Sequence, residues 1–221
     1  VYSSIFTTLY QDGLIPPLFS LAISRDISGP SGYLALGGLP DVDFTPDFTS
    51  TPILITTIAG YPKAFDFYTI NIDSIVLNGS LLSGSGGDIE YIVDSGTTLN
   101  YFPTQFANMV NSQFSPPAEF NADFGAYVVD CNATTPELGI KINGTTFEIN
   151  SLDLILLAGQ DENGNDICIS GIDDGGADLT EDVFILGDTF QKNVVTVFDV
   201  GAAELRFAAR VNYTSNDPVK A

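Results

Sequence analysis

Residues 89–103 read Ile-Glu-Tyr-Ile-Val-Asp-Ser-Gly-Thr-Thr-Leu-Asn-Tyr-Phe-Pro. The apolar run Tyr91-Ile92-Val93 delivers one carboxylate, Asp94, into a turn of Ser95, Gly96, Thr97 and Thr98. As four letters, Asp-Ser-Gly-Thr is an ordinary β-turn, because each of these residues forms turns readily. The flanks sharpen that reading. Tyr-Ile-Val reads as a buried strand, Gly96 lets the backbone come close to the acid, and Ser95 and Thr97 carry hydroxyls that can orient it. Pro103 is placed as the first residue of a helix. That helix carries an apolar stripe of Phe106, Met109, Val110 and Phe114, packs behind the turn and ends at Pro116-Pro117. Together these features describe a held carboxylate rather than a solvated one.

Outward from this turn the chain reads as many short strands with few helices, an all-β pattern. Residues 4–13 place Ile5, Phe6, Leu9 and Tyr10 at helical spacing, with Ser3 or Ser4 as N-cap and Gly13 as stop. Strands are expected at 18–24 and 32–36, joined by a polar Gly/Pro/Ser turn, and again at 53–57, 65–72 and 74–77, with 41–52 as loop. A glycine-serine turn at 83–87 leads into the Asp94 strand. Short strands follow over 126–157, with Asn143-Gly144 as a hairpin turn. Acidic loops at 161–166 and 173–178 flank a strand around Cys168. A strand at 183–186, a short turn or helix at 189–192, and a hairpin of 194–199 with 204–208 close the chain before a tail from Ser215.

Composition narrows the chemistry. The 221 residues are 44% hydrophobic, enough for a sizeable core. Acids outnumber bases 28 to 7, a formal charge of −21 that repels phosphate backbones and argues against nucleic-acid partners. No apolar run reaches the roughly 18 residues needed to span a bilayer, so no membrane association is expected. The chain opens at Val1 without a basic, apolar leader, so a signal segment is expected to have been removed or never to have belonged to it. Histidine is absent, which excludes Ser-His-Asp and Cys-His catalysis and histidine-ligated metals. Any acid/base chemistry then falls to carboxylates. Two cysteines, Cys131 and Cys168, make either one disulfide or two buried thiols. Four N-glycosylation sequons, at Asn78, Asn132, Asn143 and Asn212, suggest a secreted chain and favour the disulfide. Such a bridge is worth about 4 kcal/mol on the chain-entropy account, which is disputed.

Other motifs carry less. Asp161-Glu-Asn-Gly-Asn-Asp166 begins like a calcium loop, but its sixth position is Asp166 rather than Gly and its twelfth, Ile172, cannot ligate. It reads as a solvated hairpin loop, and 173–178 as a mobile surface loop. The glycines at 83–87 lack the spacing and following helix of a dinucleotide fingerprint. No metal or cofactor is implied.

The segment Ile92 to Pro103 resembles the C-terminal catalytic motif of pepsin-like aspartic endopeptidases. Other segments resemble that family in the same order. Leu18-Phe-Ser-Leu-Ala-Ile23 and Ser31-Gly-Tyr-Leu-Ala-Leu-Gly-Gly38 are similar to its interlobe strands. Phe67-Tyr-Thr-Ile-Asn-Ile-Asp-Ser-Ile75 is similar to the strand pair that follows. Val183-Phe-Ile-Leu-Gly-Asp188 through Val197-Phe-Asp199 is similar to its closing segment. Cys131 and Cys168 fall where the C-terminal lobe's disulfide is expected. The resemblance implies an all-β, bilobal β-barrel fold with few short helices. In those terms 1–40 is the end of the N-terminal lobe with interlobe strands, 41–214 the C-terminal lobe, and 215–221 a tail.

The resemblance also assigns roles. Asp94 becomes one of two catalytic aspartates, and Ser95 braces the active-site loops. Thr97 bonds the outer oxygen of Asp94, while Gly96, Thr97 and Thr98 line the substrate groove. Phe67 contacts the primed side of the substrate, and Ile185-Leu186-Gly187 supports the Asp94 loop from behind. Two carboxylates a few ångströms apart cannot both ionise easily, so one activates water while its protonated partner polarises the scissile carbonyl. This sequence holds only one such motif and no flap tyrosine. The implied partners are therefore a separate N-terminal lobe chain supplying the second aspartate and flap, and a peptide or protein substrate. A symmetric dimer and an isolated, inactive lobe are the other arrangements. The implied activity is cleavage of internal peptide bonds at acidic pH, in a secreted or vacuolar setting. The rival is a catalytically inactive pepsin-like binding module.

Overall fold

A computed structural model describes residues 3–25, 31–55, 67–179 and 182–211. In chain order the first elements are α1 (Ile5–Gln11), β1 (Leu18–Ile23), β2 (Gly32–Leu36), β3 (Thr49–Pro52), β4 (Thr69–Asn71), β5 (Ser74–Leu77), β6 (Ser80–Leu81), β7 (Glu90–Val93), β8 (Asn100–Phe102) and α2 (Thr104–Asn111). They are followed by β9 (Glu119–Asn121), β10 (Ala126–Val129), β11 (Leu138–Ile142), β12 (Thr145–Ile149), a 3₁₀ turn (Ser151–Asp153), β13 (Ile155–Gln160), β14 (Asp166–Ser170), β15 (Ile172–Asp174), β16 (Phe184–Leu186), α3 (Asp188–Gln191), β17 (Val194–Asp199) and β18 (Glu204–Ala209). The protein is thus mostly β with few short helices, as the sequence predicts. Its strands form open sheets, and none closes into a barrel among the described residues. The chain divides into one unit of residues 1–70 with 191–221 and another of 71–190.

The first unit is built on an antiparallel sheet of order β2-β1-β17-β18-β3. Its central strand β17 reads Val-Val-Thr-Val-Phe-Asp and is buried along its whole length, as a strand covered on both faces should be. Ala22, Val195 and Val197 pack with Val42, and Leu18, Tyr33, Phe44 and Phe48 close over them. Phe19 and its register partner Phe198 stack at 4.6 Å, while Phe6 of α1 meets the edge of Phe19 at 5.0 Å. Ser4 caps α1 through its hydroxyl, which accepts the Thr7 N–H at 3.1 Å; Gly13, with φ +71°, follows as the expected stop.

Two expectations fail in this unit. The strand lies at Thr49–Pro52, inside the segment read as loop, and Ile53–Ile55, read as strand, is not one. The pairing partner decides this. β18 offers its ladder to the polar Thr49-Ser-Thr-Pro52, and Pro52 is tolerated because β3 is an edge strand. The strand expected over 65–72 is confined to Thr69–Asn71 among its described residues. Residues 56–57, 65–66 and the tail from Ser215 lie outside the described residues.

The second unit holds two four-stranded sheets, β13-β14-β10-β9 and β12-β11-β5-β6, and the strands β15-β8-β16-β7 in that order. Its core contains Tyr91, Phe102, Phe114, Leu138, Ile140, Ile142 and Leu154, each 2% exposed or less. The hairpin β11–β12 turns at Asn143 and Gly144, both with positive φ, as an Asn-Gly turn requires. Helix α2, expected to pack behind the Asp94 turn, lies against β15 and β8; it starts one residue later than predicted, with Pro103 as its N-cap, and ends at Asn111, before Pro116-Pro117. Phe106, Val110 and Phe114 are buried, but Met109 is 47% exposed and does not belong to the packed stripe. A disulfide joins Cys131 to Cys168, with Cα atoms 5.2 Å apart. A cavity of about 440 Å³ lies along it, lined by Val129, Asp130, Asn132 and Asp166 among others; Asp94 is not part of it.

The segment at 173–178 corrects the sequence reading. Asp173 and Asp174 are strand residues of β15, paired parallel with Tyr101 and Phe102 of β8, and Asp173 is only 3% exposed. Their carboxylates are held locally. Asp173 Oδ1 accepts the Asp174 N–H at 2.8 Å, and Asp174 Oδ1 accepts the Thr104 hydroxyl at 2.6 Å and the Gly176 N–H at 2.8 Å.

Candidate active site

Strand β7 alternates exposed Glu90, buried Tyr91, half-buried Ile92 and buried Val93, and Asp94 is the first residue past its end. Tyr91 fixes the strand from below. Its hydroxyl donates to the Ser85 carbonyl at 2.8 Å, and burial pushes its phenol far above the usual value. Ser85 is itself fully buried, and its hydroxyl accepts the Ile75 N–H at 2.7 Å. The glycine-serine turn is therefore part of the packed support.

The strand order explains why Asp94 sits in a turn. β16 lies between β7 and β8, parallel to β7 through Phe184, Ile185 and Leu186 and antiparallel to β8 through Ile185 and Tyr101. The 94–99 turn must arch across the end of β16 to reach β8, and backbone bonds pin it there. Asp94 N–H donates to the Leu186 carbonyl at 3.2 Å, Asp188 N–H to the Thr97 carbonyl at 2.8 Å, and Thr189 N–H to the Thr98 carbonyl at 3.0 Å. Gly187 admits no side chain: a Cβ there would stand 2.2 Å from the Leu99 carbonyl oxygen and 2.5 Å from that of Thr97.

The Asp94 carboxylate, half-buried, is held at both oxygens. Gly96 N–H donates to Oδ1 at 2.9 Å, and the Thr97 hydroxyl donates to Oδ2 at 2.6 Å. Both distances lie within the ordinary range of well-formed hydrogen bonds. The arrangement fixes the carboxylate plane and leaves the remaining lone pairs available to a ligand. Ser95, Gly96 and Thr98 are exposed around it. The structure thus gathers Asp94, Gly96, Thr97, Leu186 and Gly187 into one site, with Ile185 behind it and Ser95 and Thr98 on its rim. Phe67 belongs to the first unit and is 49% exposed.

Sequence reasoning missed three contributors. Asn100 is fully buried, and its carboxamide oxygen accepts the Gly187 N–H at 2.9 Å. Asp188 and Thr189 fasten the turn through their N–H groups, and the Thr189 hydroxyl adds a bond to the Thr98 carbonyl at 3.1 Å. The available signal for Asn100 was a polar residue interrupting the apolar run Leu99 to Phe102. Farther along β8, Tyr101 lies beside Asp173 in the register. Burial first, then the Asp174 charge, raises Asp173 above the usual carboxyl range, and burial with the Asp173 charge raises Tyr101. Among the described residues no group of three or more Asp, Glu or Cys side chains is placed to hold a metal ion.

The sequence profile of the eukaryotic aspartyl protease family matches residues 2–210. The chain belongs to this family. Its relatives include a probable aspartic-type endopeptidase of Aspergillus fumigatus, 56% identical over 211 residues, covering 95% of this chain and 48% of that protein. Pig pepsin A is 32% identical over 201 residues, covering 88% of this chain and 46% of pepsin A. Rhizopuspepsin-4 of Rhizopus niveus is 31% identical over 202 residues, covering 90% and 45%. This aspartyl protease chain therefore spans about half the length of the curated relatives it matches.

Proposed function

We propose that the chain is the C-terminal part of a pepsin-like aspartic endopeptidase that hydrolyses internal peptide bonds at acidic pH. The observation that carries this reading is the carboxylate of Asp94, held at one oxygen by the Gly96 N–H and at the other by the Thr97 hydroxyl. Asp94 acts as half of a dyad, with the second aspartate and the flap supplied by an N-terminal lobe as a separate chain. One carboxylate takes a proton from water while the protonated one polarises the scissile carbonyl. Gly96, Thr97 and Thr98 bind the substrate backbone, Ser95 braces the loop against its counterpart, and Phe67 meets the primed side. Bulky apolar side chains are favoured on either side of the cleaved bond. In this bilobal scheme 1–40 completes the N-terminal lobe, 41–214 forms the C-terminal lobe, and 215–221 is a tail. The setting is secreted or vacuolar. Asn78, Asn132 and Asn143, the candidate glycosylation sites, are exposed, while Asn212 lies outside the described residues.

Two measurements test the reading. Intact-mass analysis of the native sample should show a second polypeptide with its own Asp-Ser/Thr-Gly motif; this chain alone would refute the two-chain arrangement. Digestion of an unfolded protein at about pH 4 should be blocked by a statine-type transition-state mimic and lost in Asp94→Asn with the fold intact. Proteolysis persisting in that variant would remove Asp94 from the chemistry.

A further inference from the structure

Asn100 opens β8, just past the Asp94 turn, and no part of it reaches solvent. Its side-chain oxygen accepts the Gly187 N–H at 2.9 Å, while its amide nitrogen is buried with no acceptor among the described residues. For packing alone this is a poor side chain. Leucine fills a similar volume and brings no unpaired donor into the core. What asparagine supplies, and leucine cannot, is an acceptor for the Gly187 N–H. Gly187 in turn lies between two of the residues that fasten the Asp94 turn: Leu186, whose carbonyl accepts the Asp94 N–H, and Asp188, whose N–H donates to the Thr97 carbonyl. Lacking a side chain, Gly187 presses directly on the carbonyls of Thr97 and Leu99. The level at which Gly187 is held therefore sets the level of the turn.

We propose that Asn100 is a positioning residue for Asp94, its carboxamide oxygen anchoring Gly187 so that the carboxylate is presented at a fixed height to its partner aspartate. The proposal rests on the reading of Asp94 as half of a catalytic dyad. It assigns to Asn100 no contact with substrate.

The test compares Asn100→Leu and Asn100→Asp in the protease with its N-terminal lobe, together with native-state amide hydrogen exchange. In Asn100→Leu, kcat falls about tenfold or more while KM changes less than about threefold, since transition-state alignment is lost rather than uniform binding. At acidic pH a buried aspartic acid is neutral and keeps a carbonyl acceptor, so Asn100→Asp recovers most of the lost kcat. Exchange quickens at the Asp94 and Gly187 amides in the leucine variant while the remaining core stays protected. Unchanged kcat and unchanged protection in Asn100→Leu overturn the proposal. So does an Asn100→Asp variant that folds but is as impaired as the leucine one. If the wild-type protease shows no statine-sensitive cleavage, the dyad reading itself fails. The exchange data then still decide whether Asn100 holds the turn: selective loss at Asp94 and Gly187 supports it, and uniform or no loss refutes it.

Discussion

Gly187→Ala is the sharpest test of how the Asp94 turn is supported. Its Cβ would arrive 2.2 Å from the Leu99 carbonyl oxygen and 2.5 Å from that of Thr97, and both obstacles are backbone. Gly187 does not have a left-handed φ, so the requirement is for space rather than for glycine's conformational freedom. An ordinary carbon–oxygen contact lies near 3.2 Å or beyond, so relief requires the turn and the β16 end to part by roughly 1 Å. The bonds that cross this gap, at 2.8 Å from Asp188, 2.9 Å to Asn100 and 3.2 Å from Asp94, would stretch or break. Overpacking of this kind costs about 1–3 kcal/mol, and a displacement of about 1 Å at a reacting group costs about a hundredfold in rate. Denaturant unfolding of the variant should show a midpoint lowered by that energy divided by the slope, with the slope itself unchanged. Single-turnover peptide cleavage should fall by about two orders of magnitude in the fraction that remains folded. An alanine variant with wild-type stability and wild-type rate would refute the claim that close approach at Gly187 sets the turn.

Two further outcomes follow from the same geometry. Thr97→Val keeps the side-chain shape but removes the hydroxyl donating to Asp94 Oδ2 at 2.6 Å. Losing about 1.5 kcal/mol of transition-state alignment lowers a rate about tenfold, so kcat should drop by about tenfold or more; an unchanged kcat would contradict the role. Asp173 has its folded-state pKa raised, chiefly by burial. Between the ordinary carboxyl value and that raised value the native state binds more protons than the unfolded chain, so this group lowers stability as pH climbs through the window. Asp173→Asn should therefore be more stable than wild type at neutral pH, with the difference vanishing below the ordinary carboxyl range; pH-dependent melting curves showing no convergence at low pH would refute this.

Local signals carried much of the architecture because many elements here are specified locally. Ser4 and Gly13 bound α1, Asn143-Gly144 makes a hairpin, and β17 with β18 pairs where two β-rich runs are separated by a short turn. The misses share one cause, which is that distant partners decide them. Thr49–Pro52 becomes a strand because β18 lies beside it, against the pull of its polar composition. Asp173 and Asp174 become strand because β8 aligns with Ile172, and their charges are absorbed by nearby N–H and hydroxyl groups that their spacing in the sequence does not announce. Met109 obeys helical periodicity yet faces outward, since an eight-residue helix buries a narrower face than the stripe suggests. At the site, Asp94, Gly96 and Thr97 could be read because their contacts lie within three residues. Asn100 and Thr189 could not, because their roles appear only when β16 is inserted between β7 and β8.

That division between near and far contacts has a mechanistic consequence. Asp94 is held by two separable sets of bonds. Gly96 and Thr97 orient its carboxylate, and Leu186, Gly187, Asp188, Thr189 and Asn100 fix the backbone that carries it. The first set touches no other strand, so its loss should degrade chemistry while sparing the fold. The second set also knits β16 to the turn that joins β7 and β8, so its loss should degrade both. Thr97→Val and Gly187→Ala therefore predict different ratios of lost rate to lost stability. Combined, the two should cost less in rate than the sum of their single effects, because a hydroxyl aligned on a displaced carboxylate has little left to contribute. Full additivity in that double-mutant cycle would mean that the two sets act on different properties of the site, and that the backbone support does not work by placing the Asp94 carboxylate.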